Sequence, residues 1–330
     1  MLSKFTFEPV SDWSEWDHCV NASPQGSLFF LSSYIKNTGV PSKAWYIKKG
    51  SSIRGGLCIQ ETKKGQECRL DDLVIHNGLW FASIEDKKLT RIRDERFEIT
   101  EEVIAFLIEK YSTVELSLAP QFEDLRPFLW HNYHDPSGEK FHLSLRYTSF
   151  LKIGDLTGLG QGEEDCETFR QLEAIRQRNL RKAAKEEITC STSGDIDFLL
   201  DSYQKTLEIS EEEFRDKRQR MGTLIQSLCD QNMGSLYKVA DNTGTPTYAV
   251  FFAWDEKRAY YLFGAGNSND QASHHGTFAF WEALRSLANA YGITEVDWEG
   301  VNSPKRGWFK LTFGGALLPY YEIRWKSYEV

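Results

Sequence analysis

The segment 264–315 constrains the fold more than any other part of this chain. A strand predicted at Arg258–Phe263 leads into a small-residue turn, Gly264–Asn267, and then into a polar loop. A helix is predicted at Phe278–Tyr291 and a strand at Ile293–Trp298. Glycines before a helix let the backbone approach an anion, because the first amide groups of a helix have no partner within it. The segment therefore predicts a phosphate-binding loop at the edge of a sheet.

The polar loop between the turn and the predicted helix supplies the candidate anion-binding residues. It ends in two adjacent histidines, a glycine and Thr277, which is expected to cap the helix beginning at Phe278. One of the histidines could instead carry a proton near neutral pH, although loop histidines are commonly solvated. The candidate cofactor-binding residues are Gly264, Gly266, Asn267, His275, Gly276 and Thr277.

Three carboxylates alternate along the strand that follows the helix. A period of two puts Glu295, Asp297 and Glu299 on one face, with Val296 and Trp298 on the other. The row is either a solvated sheet face, which is common for acidic residues, or the rim of a ligand crevice at the carboxyl end of the strand. In the second case Glu299 could remove a proton from an attacking ammonium group, while Asp297 orients it or forms an ion pair.

Two groups of cations can each be interpreted either as structural residues or as an anion-binding site. Lys310 follows Phe309 in an aromatic segment. It is either a strand lysine whose side chain passes neighbouring rings, or a fixed cation for a diphosphate or an oxyanion. The basic helix predicted at Phe169–Lys185 is either a solvated face or a phosphate-binding element that acts through Arg181 or Lys182.

The order of predicted elements indicates two domains of the mixed α/β class. A glycine-rich acidic joint at 155–164 separates an N-terminal domain, 1–154, from a C-terminal domain, 165–330, which carries the main motifs. Both halves show the order helix, antiparallel strands, helix, strand. In the first half, Tyr34 and Trp130 could stack on a base or a sugar, or they could belong to the core.

Composition excludes several classes of protein. The 330 residues are 41% hydrophobic, which suffices for real cores, and the net charge of −9 disfavours a dedicated DNA- or RNA-binding protein. No stretch approaches the roughly 18 apolar residues of a membrane span, and no signal peptide is evident. We therefore expect a cytoplasmic protein with reduced cysteines. No metal site is expected, because the only paired histidines are adjacent and adjacent residues rarely bind one metal.

These motifs resemble those of a known family. The sequence Asp-Trp-Glu-Gly at 297–300, followed by Trp-Phe-Lys at 308–310 and Phe-Gly-Gly at 313–315, resembles the C-terminal signature of the FemAB-like transferases. Those enzymes belong to the wider GNAT (Gcn5-related N-acetyltransferase) fold. The basic helix at 176–183 lies where such proteins carry a similar one. The resemblance is clear over about 151–325 and faint before it.

The resemblance implies two GNAT-like domains packed side by side and the transfer of an acyl group to an amine. Phe309 and Lys310 match the family pair that stabilises the transition state or holds the acceptor. Some members take an amino acid from aminoacyl-tRNA and extend a peptidoglycan precursor. Others take an acyl group from coenzyme A and modify an amino sugar or another amine.

We expect acyl-coenzyme A as co-substrate, no covalently bound cofactor, and a nucleotide-linked amino sugar of a cell-surface polysaccharide precursor as acceptor. The chain lacks a long charged heptad hairpin between its domains, and its acidic balance weighs mildly against tRNA, which is bound through its phosphates. The alternative is an aminoacyl-tRNA-dependent transferase that acts on a peptidoglycan precursor. Direct attack by the amine is expected, because no cysteine or serine neighbours a histidine in a nucleophile motif.

Overall fold

The structure, a computed structural model, describes residues 4–84, 88–158, 165–266 and 273–327. Its contacts divide the chain into two units, each described separately below. Unit 1 consists of Met1–Arg146 and Pro319–Val330, and unit 2 of Tyr147–Leu318. This division differs from the boundary predicted at 155–164, because the first segment of unit 1 ends at Arg146 and the unit also includes the C-terminal segment of the chain. The sequence could not indicate that return, since it arises from strand pairing between residues far apart in the chain.

Helices and strands are mixed along the whole chain, which confirms the predicted mixed α/β class. The strands are β1 Thr6–Pro9, β2 Ser42–Lys49, β3 Ser52–Gln60, β4 Glu67–Cys68, β5 Gly78–Phe81, β6 Thr113–Ser117, β7 His142–Lys152, β8 Thr189–Thr192, β9 Gly234–Ala240, β10 Pro246–Trp254, β11 Ala259–Gly266, β12 Glu295–Asp297 and β13 Ala316–Lys326. The helices are α1 Trp13–Ala22, α2 Ser32–Ile35, α3 Leu89–Lys110, α4 Arg126–Trp130, α5 Glu167–Arg170, α6 Ala174–Lys185, α7 Ile196–Leu207, α8 Glu211–Asp230, α9 Ser273–Tyr291 and α10 Pro304–Leu311.

Unit 1 is built on an antiparallel sheet in the order β1-β2-β3-β5. Strand β6 pairs in parallel with β4 and antiparallel with the last residues of β13, from Glu322 to Lys326. Helix α3 contributes Ile99, Val103 and Leu107 to the core, at the spacing that places side chains on one helix face.

Unit 2 is built on strands in the order β7-β12-β11-β10-β9-β8. Strand β12 pairs antiparallel with β7 and in parallel with β11, whereas β8 to β11 form an antiparallel meander. Helix α9 packs on these strands with Trp281, Leu284 and Ala288 buried at a three- to four-residue spacing. This confirms the helix predicted at Phe278–Tyr291, although it begins earlier, at Ser273.

None of the described helices combines the length and the apolar character needed to cross a membrane.

Candidate active site

A gap opens in the sheet of unit 2 where β11 and β12 part. The two strands pair only through Ala259 with Val296 and Tyr260 with Asp297. Beyond that point β11 continues to Gly266 and stays paired with β10. The chain after β12 turns to the other side, where the Trp298 amide donates to the Ser149 carbonyl at 2.9 Å. The carboxyl ends of the two strands therefore diverge, which is the position at which open sheets bind ligands.

Glu299 lies at this divergence with its carboxylate buried and unpartnered. The residue is 4% exposed, and neither carboxylate oxygen has a hydrogen-bond partner among the described residues. Its backbone is left-handed, with a φ of 56°, a conformation that costs energy for a residue with a side chain. Burial, reinforced by the charge of Asp297, raises the pKa of the Glu299 carboxyl well above its usual value. A buried carboxyl group on a strained backbone and without a hydrogen-bond partner is characteristic of functional sites.

Asp297 holds the turn that presents Glu299. One of its oxygens accepts hydrogen bonds from the Thr148 hydroxyl and, at 2.9 Å, from the Glu299 backbone amide. Burial raises the pKa of Asp297 to about 6, against the opposing effect of those hydrogen bonds. With Asp297 at 1% exposure, the solvated-face interpretation of the carboxylate row is wrong for both Asp297 and Glu299.

Lys310 approaches the same carboxyl groups from α10, not from a strand as its alternating neighbours suggested. Its ammonium group donates to the Gly300 carbonyl at 3.2 Å and lies 4.9 Å from the centre of the Tyr261 ring. Burial lowers the pKa of Lys310 to about 8, although the charges of Glu299 and Asp297 oppose that shift. At neutral pH the lysine therefore remains mostly protonated and supplies a positive charge.

Arg176 is a buried cation on α6, the basic helix for which both a solvated face and a phosphate-binding role were considered. It is 9% exposed, donates to the Thr312 and Thr277 hydroxyls at 2.8 Å each, and lies 4.2 Å from the centre of the Phe309 ring. Among the described residues no carboxylate forms an ion pair with it. Burial lowers the pKa of the guanidinium, which nevertheless stays charged at physiological pH. A signal was present in the sequence, because Arg176 lies on the helix face that also buries Leu180 and Ala183.

The predicted anion-binding loop differs from the structure at several positions. Gly264 and Gly266 belong to β11, opposite Val250 and Tyr248, and do not form a turn. Gly266 instead provides room, because a Cβ atom there would lie 2.3 Å from the Tyr248 ring. The strand continues because β10 offers it a ladder of partners, which a local glycine pattern cannot reveal. Asn267 lies outside the described residues.

The end of that loop is helical. Thr277 lies inside α9, not at its N-cap, and its buried hydroxyl accepts hydrogen bonds from Arg176 and Asn179. Gly276 packs against Tyr248. His275 is 6% exposed, and its Nδ1 lies 2.8 Å from the Thr247 hydroxyl. Of the predicted loop, the first turn of α9 therefore remains the part whose amides could face an anion.

The predicted acceptor-binding residues have different surroundings. Phe309 packs 5.3 Å from the Phe280 ring and 5.4 Å from the Phe313 ring, so it supports the position of Lys310. On α6, Arg181 lies 5.8 Å from the centre of the Phe169 ring, and Lys182 lies 3.5 Å from Glu186. Arg181 and Lys182 are both exposed.

Two further candidates belong to unit 1. Tyr34 is a core residue at 1% exposure whose hydroxyl donates to the Leu73 carbonyl, so of the two interpretations the stacking role is wrong and the core position is confirmed. Trp130 is 52% exposed and packs against Phe97 and Arg126 at the end of α4. Its indole is therefore accessible, as a stacking role requires.

Comparison with solved structures shows the fold class. The chain superposes on FemX with a TM-score of 0.61 and 13% identity, covering 95% of this chain and 96% of that one. It superposes on a tandem GNAT protein from the clavulanic acid biosynthesis pathway with a TM-score of 0.55 and 10% identity, covering 97% and 98%. L-PGS from Bacillus licheniformis is similar at a TM-score of 0.51 and 10% identity, covering 98% and 94%.

The chain therefore has the two-domain fold that FemX shares with tandem GNAT proteins, as the sequence motifs predicted. At the level of sequence, no protein-family model matches, and neither does any curated protein.

Proposed function

We propose that this chain is an N-acyltransferase that moves an acyl group from acyl-coenzyme A to the amino group of a nucleotide-linked amino sugar. The observation that carries the proposal is the buried, unpartnered carboxyl group of Glu299 beside the positive charge of Lys310. A base with a raised pKa and a fixed cation are the two groups that amide formation from a thioester requires.

Glu299 acts as the proton acceptor. The acceptor nitrogen arrives largely as an ammonium ion and must lose a proton before it can attack. Its lone pair then forms the C–N bond at the thioester carbonyl, and the C–S bond breaks. The second proton that the nitrogen loses as the amide forms passes to the departing sulfur, so coenzyme A leaves as the free thiol. A carboxylate whose pKa is raised by burial removes that proton more effectively than an ordinary glutamate, because it is the stronger base. Asp297 positions Glu299 through its backbone amide.

Lys310 stabilises the charge that develops on the carbonyl oxygen. Its hydrogen bond to the Gly300 carbonyl uses one of its three donors, which leaves others for an oxyanion. The charge is held by packing, so little reorganisation is needed during the reaction.

The gap between β11 and β12 fits the donor. The pantetheine arm of coenzyme A contains two amides in an extended chain, and a strand with a free edge can pair with such amides. From Tyr261 onward β11 has lost β12 as its neighbour. The first turn of α9, which starts beyond this strand, offers amides to the phosphates of the donor.

Arg176 supports an acceptor that carries phosphate. A guanidinium that is nine-tenths buried without a carboxylate partner is costly unless an anion compensates it. Phosphate oxygens match its planar donors well.

No acyl-enzyme is required. In unit 2, burial raises the pKa of the Cys190 thiol to about 12 and also raises that of Cys229. Such thiols carry little thiolate at neutral pH and are poor nucleophiles.

The proposal is tested by incubating the purified chain with acetyl-coenzyme A and a panel of free and nucleotide-linked amino sugars. We expect coenzyme A release that depends on the amine and equals the amide formed. Equal activity on free and nucleotide-linked sugars would contradict the acceptor assignment, and the absence of release with every amine would contradict the donor.

A second candidate is aminoacyl-tRNA-dependent transfer to a peptidoglycan precursor. The observation in its favour is a stripe of exposed cations on α6, at the three- and four-residue spacing of one helix face, which suits a polyanion. The stripe consists of Arg178, Arg181, Lys182 and Lys185. Transfer of a labelled amino acid from tRNA without coenzyme A would favour this candidate.

The proposed role of Arg176 predicts that its removal weakens acceptor binding without lowering the stability of the fold. Arg176→Met should raise the KM for a phosphate-bearing acceptor about tenfold or more, because a charge-assisted contact to phosphate is worth roughly 1.5–3 kcal/mol. The Tm should stay level or rise, because an uncompensated buried charge is removed. Thr312 keeps its hydrogen bond to the Phe309 carbonyl, and Thr277 keeps that from Asn179.

Arg178→Met, on the exposed face of the same helix, is the matched control. An unchanged KM combined with a lower Tm in Arg176→Met would make the arginine a structural residue only.

Replacement of Gly276 by valine tests whether the phosphates of the donor bind at the first turn of α9. A Cβ atom at Gly276 would lie 3.2 Å from the Tyr248 ring, so valine should displace the first turn of α9 slightly. We expect the Kd for coenzyme A, measured by calorimetry, to rise about tenfold, or roughly 1.4 kcal/mol. Gly194→Val, at a glycine with open space around it, should leave the Kd unchanged. Equal affinity in the wild-type chain and Gly276→Val would place the phosphates elsewhere.

A further inference from the structure

The start of α9 and the end of α6 bring together two imidazoles and a carboxylate. His274 and His275 open α9, and Glu186 follows α6 as its C-cap residue. Nε2 of His274 lies 2.5 Å from a Glu186 carboxylate oxygen, and Nε2 of His275 lies 3.9 Å from the same atom. The ligand atoms all lie within 4.8 Å of one another. None of these side chains has a role in the acyl transfer proposed above, to which the first turn of α9 contributes backbone amides only.

We propose that Glu186, His274 and His275 form a binding site for a zinc-like divalent transition-metal ion. Two imidazole nitrogens and one carboxylate oxygen are the ligands such ions prefer, and three protein ligands leave a fourth position for water.

The separations between the ligand atoms are compatible with tetrahedral coordination. Bonds of about 2.0–2.1 Å at tetrahedral angles hold ligand atoms roughly 3.3 Å apart. The two separations around the Glu186 oxygen, 2.5 Å and 3.9 Å, fall on either side of that value. Shifts of under about 1 Å at flexible carboxylate and imidazole torsions would bring all three atoms to bonding distance.

His275 already has the support that a metal-binding histidine needs. Its Nδ1 lies 2.8 Å from the Thr247 hydroxyl, which fixes the ring and leaves Nε2 facing Glu186. Metal-binding histidines commonly use their second nitrogen in this way. Both rings are buried, at 4% and 6% exposure, whereas the Glu186 side chain is 42% exposed and gives an ion access from solvent.

Bound metal would link α6 to α9. Among the described residues, the carboxylate of Glu186 also forms an ion pair with Lys182, 3.5 Å from its second oxygen, so a metal ion would have this cation nearby. The C-terminal end of α6 favours a positive charge, whereas the N-terminal end of α9 does not. Three direct metal–ligand bonds outweigh these long-range electrostatic effects, because the free energy of metal binding adds to that of folding.

The test is a titration of the untagged, chelator-treated full chain with Zn²⁺ by calorimetry. We expect one Zn²⁺ per chain and a rise in Tm on binding. His274→Gln and Glu186→Gln should weaken binding by about 100-fold or more, and Thr247→Val by about 10–100-fold as a supporting residue. His134→Gln, at an exposed histidine in unit 1, should bind as the wild-type chain does.

Glu186→Gln alters a half-exposed side chain, so its fold should survive, and Tm without metal verifies this. Absence of one-to-one binding, or equal Zn²⁺ affinity in the wild-type chain, His274→Gln and Glu186→Gln, would overturn the site. Loss of acyl transfer in the Glu299 variant described below does not bear on it, which keeps the two proposals separable.

Discussion

Glu299→Gln is expected to lower kcat/KM for the amine by about two to four orders of magnitude, the usual contribution of a positioned general base. Glutamine has nearly the same shape, so substrate binding should be retained while proton transfer is lost. The rising limb of the wild-type pH profile, which reflects ionisation of the Glu299 carboxyl, should disappear in the variant. The measurement is a pH series of kcat/KM with saturating acyl donor.

Glu295→Gln is the matched control, because Glu295 lies on β12, shortly before Glu299 in the chain, but forms an ion pair with Arg258 at 3.1 Å. It should leave the rate within a few-fold of the wild-type value. Wild-type activity in Glu299→Gln, or an equal loss in Glu295→Gln, would remove Glu299 from the mechanism.

Glu299→Gln should not lower the stability of the folded chain. Because the pKa of Glu299 is raised in the folded chain, the folded state binds its proton more tightly than the unfolded state does. The proton therefore stabilises the fold at low pH, and this contribution is lost as the pH rises through the folded pKa. Glutamine cannot ionise, so the variant does not lose this stability as the pH rises. At neutral pH we therefore expect a Tm equal to or above that of the wild-type chain.

Lys310→Ala is expected to lower kcat by about one to three orders of magnitude, in line with the loss of one oxyanion donor. Because the pKa of Lys310 is about 8, its charge is present below that pH and lost above it. The wild-type rate should therefore fall above about pH 8. Lys310→Arg keeps its charge at every accessible pH, so its activity should not show this falling limb even if its absolute rate is lower.

Lys305→Ala changes an exposed lysine on the same helix and serves as control. A falling limb that persists unchanged in Lys310→Arg would assign it to another group, and a wild-type kcat in Lys310→Ala would contradict the oxyanion role.

The sequence sufficed to predict the elements that local pattern determines. The period of α9 and the alternation around β12 can be recognised without knowledge of the fold. The alternation indicated Asp297 and Glu299, and the aromatic segment around Phe309 indicated Lys310. Their burial could not be predicted, because it depends on the pairing of β12 with β7 and on α10, which brings Lys310 to the Gly300 carbonyl. The position of Lys310 in a helix was likewise not predicted. Pro304, at the start of α10, is a residue type that favours a helix beginning there.

Long-range partners account for the remaining differences. The glycines at 264 and 266 were expected to form a turn, yet their pairing with β10 keeps them in a strand. The basic helix α6 was open to two interpretations, and neither of them placed Arg176 on the buried face that the structure shows. No metal site was expected at the two histidines. The structure places the carboxylate of Glu186, which is distant in the sequence, beside them.

The most direct test of the account follows both products of a single reaction. The wild-type chain and Glu299→Gln are each given acetyl-coenzyme A with isotopically labelled acetyl groups and the best acceptor from the amino-sugar panel. Mass spectrometry then quantifies amide, free coenzyme A and any label on the protein. We predict equal amounts of amide and coenzyme A in the wild-type reaction, about two to four orders of magnitude less in the variant, and no labelled protein. Label retained on a cysteine or serine, or equal product from both proteins, would contradict direct transfer assisted by Glu299.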